Sequence, residues 1–153
     1  MHLRIALLAA ALLGLTDAGS PPVYKVDLAI SSGTVEKPQP TTHYTMLVDE
    51  SRKAVFQAIS RADFGNISPP YVDAGTSIEL TVRDAAGKVN LDGVIDVTAI
   101  TGEVYIGALR EPIIAHRKLA FHTDMELEKT TEIRNDHPDY SMRKVEIAVT
   151  RVN

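Results

Sequence analysis

Over most of this chain apolar residues recur at every second position, and a chain patterned in that way can bury them only on one face of a sheet. Ile78, Leu80 and Val82 alternate with Glu79, Thr81 and Arg83; the Asp84-Ala85-Ala86-Gly87 turn then leads into Val89, Leu91, Gly93, Ile95 and Val97. Two long paired strands are predicted there. Tyr24, Val26, Leu28 and Ile30 oppose Lys25 and Asp27, and Tyr44, Met46 and Val48 repeat the pattern after Ser31-Ser32-Gly33 and Pro38-Gln39-Pro40, which are expected to break the strand. Further on, Leu119, Phe121, Thr123, Met125 and Leu127 oppose Lys118, His122, Asp124, Glu126 and Glu128. A turn is expected at Asn135-Asp136-His137-Pro138-Asp139. Beyond it Val145, Ile147 and Val149 face away from Lys144, Glu146 and Arg151. One polar face in each strand favours antiparallel pairing over a sheet covered on both sides.

Three stretches are less regular. From Asp49 to Phe64, Arg52, Val55, Phe56 and Ile59 fit a helical stripe, while Val55, Gln57 and Ile59 fit an alternating strand, and strand is the expectation. Phe64 to Pro70 is expected to loop. Thr98 to Glu111, with Gly102 and Gly107, is expected as a looser connection before Pro112 opens a long run. Gly93, inside a strand, is expected to mark a β-bulge.

At the N-terminus Met1-His2-Leu3-Arg4 precedes the apolar run Ile5 to Leu15, and Thr16-Asp17-Ala18 ends in a small residue. This is the three-part pattern of a cleavable export signal, too short for a membrane span. Residues 1–18 are therefore expected to be the signal, and 19–153 a single β domain, mostly β in class. The expected architecture is an antiparallel sheet or small β-sandwich, with at most one short helix after the signal peptide. Localisation follows as exported, periplasmic or extracellular, with no stable membrane span in the mature form. With no cysteine in the chain, disulfides and thiolate metal sites are excluded, and the core alone must hold the domain. A net charge of −4, without a basic stripe, argues against nucleic acid as a partner.

The segment Tyr71-Val72-Asp73-Ala74-Gly75-Thr76-Ser77-Ile78-Glu79-Leu80-Thr81-Val82, with the Gly87 turn and Val89-Asn90-Leu91-Asp92, resembles the C-terminal β domain of bacterial secretins. Those are outer-membrane gate subunits of type II and III secretion and type IV pilus systems. Pro112-Ile113-Ile114-Ala115-His116-Arg117-Lys118-Leu119 is similar to the segment that leads into the next hairpin of that domain. The resemblance runs from Tyr71 to Val152 and rests on strand pattern. It implies a non-enzymatic binding or assembly module that contacts another envelope protein or a second copy of itself through sheet edges. Ring-building modules, Gly-Pro-Leu-rich gate segments and a lipid-facing apolar band are not legible in the sequence, so a pore is not the expectation.

Catalytic and ligand motifs are sparse. His122, Asp124 and Glu126 project together, and so do Asn90, Asp92 and Asp96, but a solvated strand face accounts for both sets. His116 and His122 share a face about 20 Å apart at strand rise, too far for a shared ion. His2 is expected to leave with the signal, and His43 and His137 lie in separate segments. Ser31-Ser32-Gly33 and Ser51 lack a nucleophile elbow, and the glycines form no phosphate loop. The expectation is therefore no catalytic, cofactor-binding or metal residues and no cofactor. The competing reading is a small periplasmic ligand- or metal-binding protein, or a hydrolase, that uses the outer-face acids with His122; a membrane-inserted ring is a third.

Overall fold

A computed structural model describes residues 19–33, 38–65, 71–134 and 142–152. The expected export signal, the turn at 135–139 with His137, and positions 66–70 of the expected loop lie outside the described residues. Eight strands follow in order: β1 (Val23–Gly33), β2 (Pro38–Asp49), β3 (Lys53–Asp63), β4 (Tyr71–Ala85), β5 (Lys88–Ile106), β6 (Leu109–Glu126), β7 (Thr130–Arg134) and β8 (Met142–Arg151). They form two four-stranded antiparallel sheets, β2-β1-β8-β7 (sheet A) and β3-β4-β5-β6 (sheet B). There is no helix among the described residues.

The period-two pattern decides which side of each sheet is buried. Tyr24, Val26, Leu28 and Ile30 of β1 join Val145, Ile147 and Val149 of β8 on the inner face of sheet A. Ile78, Leu80 and Val82 of β4 meet Val89, Leu91 and Ile95 of β5 on the inner face of sheet B, and all of these side chains belong to one buried cluster. Each fully buried Val, Leu or Ile contributes roughly 1.5–3 kcal/mol relative to exposure. No described polar or charged residue is buried with them. The layers are also linked by polar contacts at their margins. Tyr44 Oη donates to Thr76 Oγ1 at 3.1 Å while its ring meets Phe56 edge-on at 5.3 Å, and Ser51 N donates to Val82 O at 2.8 Å.

Turn chemistry sets the register of sheet B. Ala86 and Gly87 both take positive φ, 49° and 92°, as a two-residue type I′ hairpin requires, and Ala85 accordingly pairs with Lys88. At the β5–β6 hairpin Gly107 alone takes positive φ, 65°, between the paired Ile106 and Leu109, the arrangement of a type II′ turn.

Several expectations are corrected. Thr98 to Glu111 is not a loose connection: β5 continues to Ile106 and β6 starts at Leu109, because the glycine at 107 folds the chain tightly back on itself. Ser31 to Gly33 does not end β1, and β2 already begins at Pro38, although pairing shifts between Ser31 and Gly33. Asp49–Phe64 resolves in favour of strand, with Val55 and Ile59 on the exposed face and Phe56 turned inward. The β-bulge falls between Ile100 and Gly102, not at Gly93, which stays in register opposite Phe121.

Gly93 is needed for a different reason: a Cβ built there would lie 2.2 Å from Cζ of Phe121, whose ring fills that place on the inner face. Gly93→Val therefore forces the ring out of its position and lowers the unfolding free energy by about 1–3 kcal/mol. Urea denaturation of Gly93→Val in wild-type and Phe121→Ala backgrounds checks this, with the cost of the valine shrinking once the ring is gone.

Candidate functional site

Up to the bulge at Thr101 the even-numbered residues of β5 share the outer face of sheet B with the even-numbered residues of β6, and the register brings imidazoles and carboxylates into contact across the two strands. Asp92 lies directly opposite His122, and Asp92 Oδ1 is 2.7 Å from His122 Nδ1. The other carboxylate oxygen of Asp92 accepts from Arg83 Nη1 of β4 at 2.8 Å. Four residues further along β5, Asp96 Oδ1 is 2.7 Å from Nε2 of His116, which lies diagonally across on β6. Asp124 is bonded by the Asn90 side-chain amide, and stands 3.9 Å from His122 Nε2. Glu126 pairs with Lys129 instead of joining His122. The His122-Asp124-Glu126 set expected from strand alternation is thus replaced by a cross-strand set, and Asp92 and Asp96 each hold a separate histidine.

A carboxylate bonded to an imidazole can orient that ring as a base. Here both rings stand more than half exposed on an open sheet face, at 59% for His116 and 63% for His122. Among the described residues no group of three or more His, Asp and Glu is placed to hold a metal ion. Two of several depressions lie on the outer faces of different sheets. One, of about 270 Å³, runs between Lys53, Glu79, Asp92 and Ala120 on sheet B; the other, of about 290 Å³, lies among Asp27, His43, Thr130 and Glu146 on sheet A. Both are shallow and open to solvent.

The edges of sheet B are the other feature a partner could use. β3 borders one side with 11 residues and β6 the other with 18. Beyond Gly75 and Thr98 the sheet forks: Tyr71 to Ala74 pair only with β3, and Ala99 to Ile106 pair only with β6. Gly75, at the fork, has φ 153°, and a Cβ there would lie 2.0 Å from the carbonyl oxygen of Ala58. The β5–β6 ribbon past the fork carries exposed Val104, Tyr105, Ile106, Leu109, Ile113 and Ile114. Its charges Glu103 and Arg110 pair with each other, and the Arg110 guanidinium also sits 5.2 Å from the Phe64 ring centroid. The stretch expected as a looser connection is thus a paired ribbon with exposed apolar side chains.

No family model matches the chain, and no curated protein matches it either. Among solved structures it is similar to the type IV competence pilus secretin PilQ of V. cholerae, with a TM-score of 0.52 and 8% identity over 86% of this chain and 58% of that one. The domain is secretin-like in fold. The InvG secretin domain β-barrel of the Salmonella SPI-1 injectisome also matches, with a TM-score of 0.47 and 12% identity over 86% of this chain and 62% of that one. This chain therefore spans less than two thirds of the length of either secretin chain.

In the secretin-like sheet B the pairing of the histidines was hidden from the sequence because Asp92 and His122 are 30 positions apart. Only the register given by Gly107 and the bulge at Thr101 joins them. The length of β5 and β6 had a signal, the alternation Val104, Ile106 around Tyr105, that the neighbouring glycines masked.

His122, chiefly through its hydrogen bond and then through its charge together with that of Arg83, holds the Asp92 carboxyl below the usual carboxylate range. A carboxylate depressed in the folded state stabilises above its unfolded pKa, and this contribution is lost as pH falls through the folded value. Carboxyl NMR titration should find Asp92 ionising below an ordinary aspartate, and His122→Gln should move its midpoint upward. An unmoved midpoint would show that the pair is not formed in solution.

Proposed function

We propose that this chain is an exported, non-enzymatic assembly module that joins another envelope protein, in the first instance a second copy of itself, through the open edges of sheet B. The observation that carries the reading is that, among the described residues, one antiparallel sheet of four strands ends in two unpaired edges, β3 and β6. An even number of alternating strands makes β3 and β6 run in opposite directions. A second copy can therefore set its β6 beside β3 and continue the antiparallel order. Such a joint is head-to-tail, and repeats into a ring or a filament. Unpaired N–H and C=O groups along both edges supply its bonds. On sheet A the β2 edge opens with Pro38 and Pro40, which lack the donor an added strand would need.

The fold shared with a pilus secretin supports this reading, and the signal-like residues 1–18 support export to the periplasm or beyond. The rival enzyme or ligand-binding reading is less favoured because His122 is already engaged by Asp92 on an open face.

The absence of cysteine makes the test direct. Gln57 on β3 and Lys118, Ala120 or His122 on β6 all face outward, and within one copy the two edges are about 14 Å apart, beyond disulfide reach. Gln57→Cys combined with a cysteine at one of the three β6 positions should give a ladder of oxidised multimers from the processed protein in envelope extract. If every pair gives monomer alone, and gel filtration agrees, self-association is wrong.

The apolar ribbon supports a second reading, in which the tips gather at one rim of a ring and contact lipid. Multimers that survive only in detergent would favour it, and multimers stable in plain buffer would count against it.

A further inference from the structure

We propose that the β5–β6 ribbon beyond the fork is a hinged arm, and that Arg110, seated on the Phe64 ring, is the catch that holds it beside the β3–β4 branch. The inference concerns a single copy of the chain and does not depend on how copies join.

The fork divides sheet B into two branches that are braced separately. On the β3–β4 branch, Arg61 donates to both carboxylate oxygens of Asp73, at 2.8 and 3.3 Å, and its guanidinium stacks 4.1 Å from the Tyr71 ring centroid. A Cβ at Gly75 would also lie 2.8 Å from Cα of Ile59, so β4 follows β3 closely through the fork. On the ribbon, Glu103 of β5 accepts from Nε and Nη2 of Arg110 on β6. The last backbone pair joining β4 to β5 is Gly75 with Thr98. A hollow of about 180 Å³ opens there among Ile59, Asp73, Ser77, Asp96 and Thr98, so the branches part with space between them.

The two branches meet again at their far ends. β3 ends at Asp63, whose Oδ1 accepts from Gly65 N at 2.8 Å, and Gly65 takes φ 57°. This short turn sets Phe64 just beyond the strand, where it is only 7% exposed although it lies outside the core cluster. The Arg110 guanidinium is 5.2 Å from the centroid of that ring, within the reach of about 6 Å over which a cation is drawn to an aromatic face. Glu103 keeps the guanidinium in place, because two parallel bonds to one carboxylate fix its plane. A cation–π contact biases an equilibrium between held and released arm by roughly two- to thirtyfold. That is enough to favour the held position and little enough to be undone.

The hinge lies at the other end of the ribbon. Just past Thr98 the pairing of β5 with β6 shifts between Ile100 and Gly102, and a bulge of this kind bends a strand and interrupts its ladder. Gly102 is not required by space, since a Cβ there would meet Cδ1 of Ile113 at 3.5 Å, an ordinary contact. What the glycine adds is backbone freedom. Bending at this point carries Val104, Tyr105, Ile106 and Leu109 as one paired unit and changes where these exposed side chains point relative to the rest of β6.

The chain has no cysteine, so paired spin labels can be placed at will on the full processed protein, held dilute. Labels on Ser60→Cys and Ala108→Cys report the ribbon tip against the β3–β4 branch, and labels on Ser60→Cys and Ala120→Cys report the body of sheet B. Electron spin distance measurement should give one narrow distribution for the first pair. Arg110→Gln and Phe64→Leu should each raise the population outside that peak by roughly two- to thirtyfold, and high salt should act in the same direction. Gly102→Ala added to Arg110→Gln should narrow the spread again, while the second pair of labels stays unchanged throughout. A first-pair distribution that neither Arg110→Gln nor Phe64→Leu alters would overturn the catch. A spread that Gly102→Ala leaves as it was would overturn the hinge. Both label pairs shifting together would mean a general loosening of the sheet and overturn the arm altogether. Each of these failures leaves the edge joint standing, because the cysteine ladder tests that joint separately.

Discussion

Strict alternation of side chains across two sheets facing each other is the constraint on which the rest of this fold depends. Every second residue over Tyr24–Ile30, Ile78–Val82, Val89–Ile95 and Val145–Val149 enters the common core, so a slip of one position in any of these stretches would exchange Leu, Ile and Val for residues such as Asp, Glu, Lys and Thr. Two turns and one packing contact guard against that slip. The Ala86-Gly87 turn pins β4 to β5, the Gly107 turn pins β5 to β6, and the Phe121 ring occupies the space that Gly93 leaves open. Without a disulfide, the apolar inner faces and these local devices must carry the stability of the described domain.

The same alternation creates the outer surface. Because the inner face takes the odd-numbered positions of β5 before the bulge and those of β6 opposite them, the even-numbered ones are left together on the outer face, and a row of carboxylates on β5 meets a row of imidazoles and a lysine on β6. Exposed pairs of this kind contribute little to stability individually. They border β6, which has no neighbouring strand on its other side among the described residues. Sheet A presents a proline-marked edge at β2 and a five-residue strand at β7, whereas sheet B presents long edges on both sides. The two sheets thus differ in what their edges offer, and the assembly proposed above draws on sheet B.

Much of this was legible along the chain. The β4–β5 hairpin follows from Ile78 to Val97, and β1, β2 and β8 follow from their apolar alternation, because side-chain period is a local property of a strand. The secretin-like fold was also legible, through the pattern from Tyr71 to Leu119. Local reading failed where a glycine has two meanings. Gly102 and Gly107 suggested a loose segment, yet one sits beside a bulge and the other forms a tight turn, so both serve to extend a long hairpin. Gly93 suggested a bulge and proved to be the seat of an aromatic ring contributed from 28 positions away.

The amino-acid sequence by itself determined the class of the domain, the buried face of each major strand and the lack of thiol chemistry, since these depend on residue type and on spacing within one strand. Only the tertiary structure decided that β1 pairs with β8, that Asp92 meets His122, and that the sheet forks at Gly75, with β3 and β6 at its margins among the described residues. Those outcomes depend on which strands become neighbours, and the choice is made by covering two apolar faces at once, a demand that no single segment expresses.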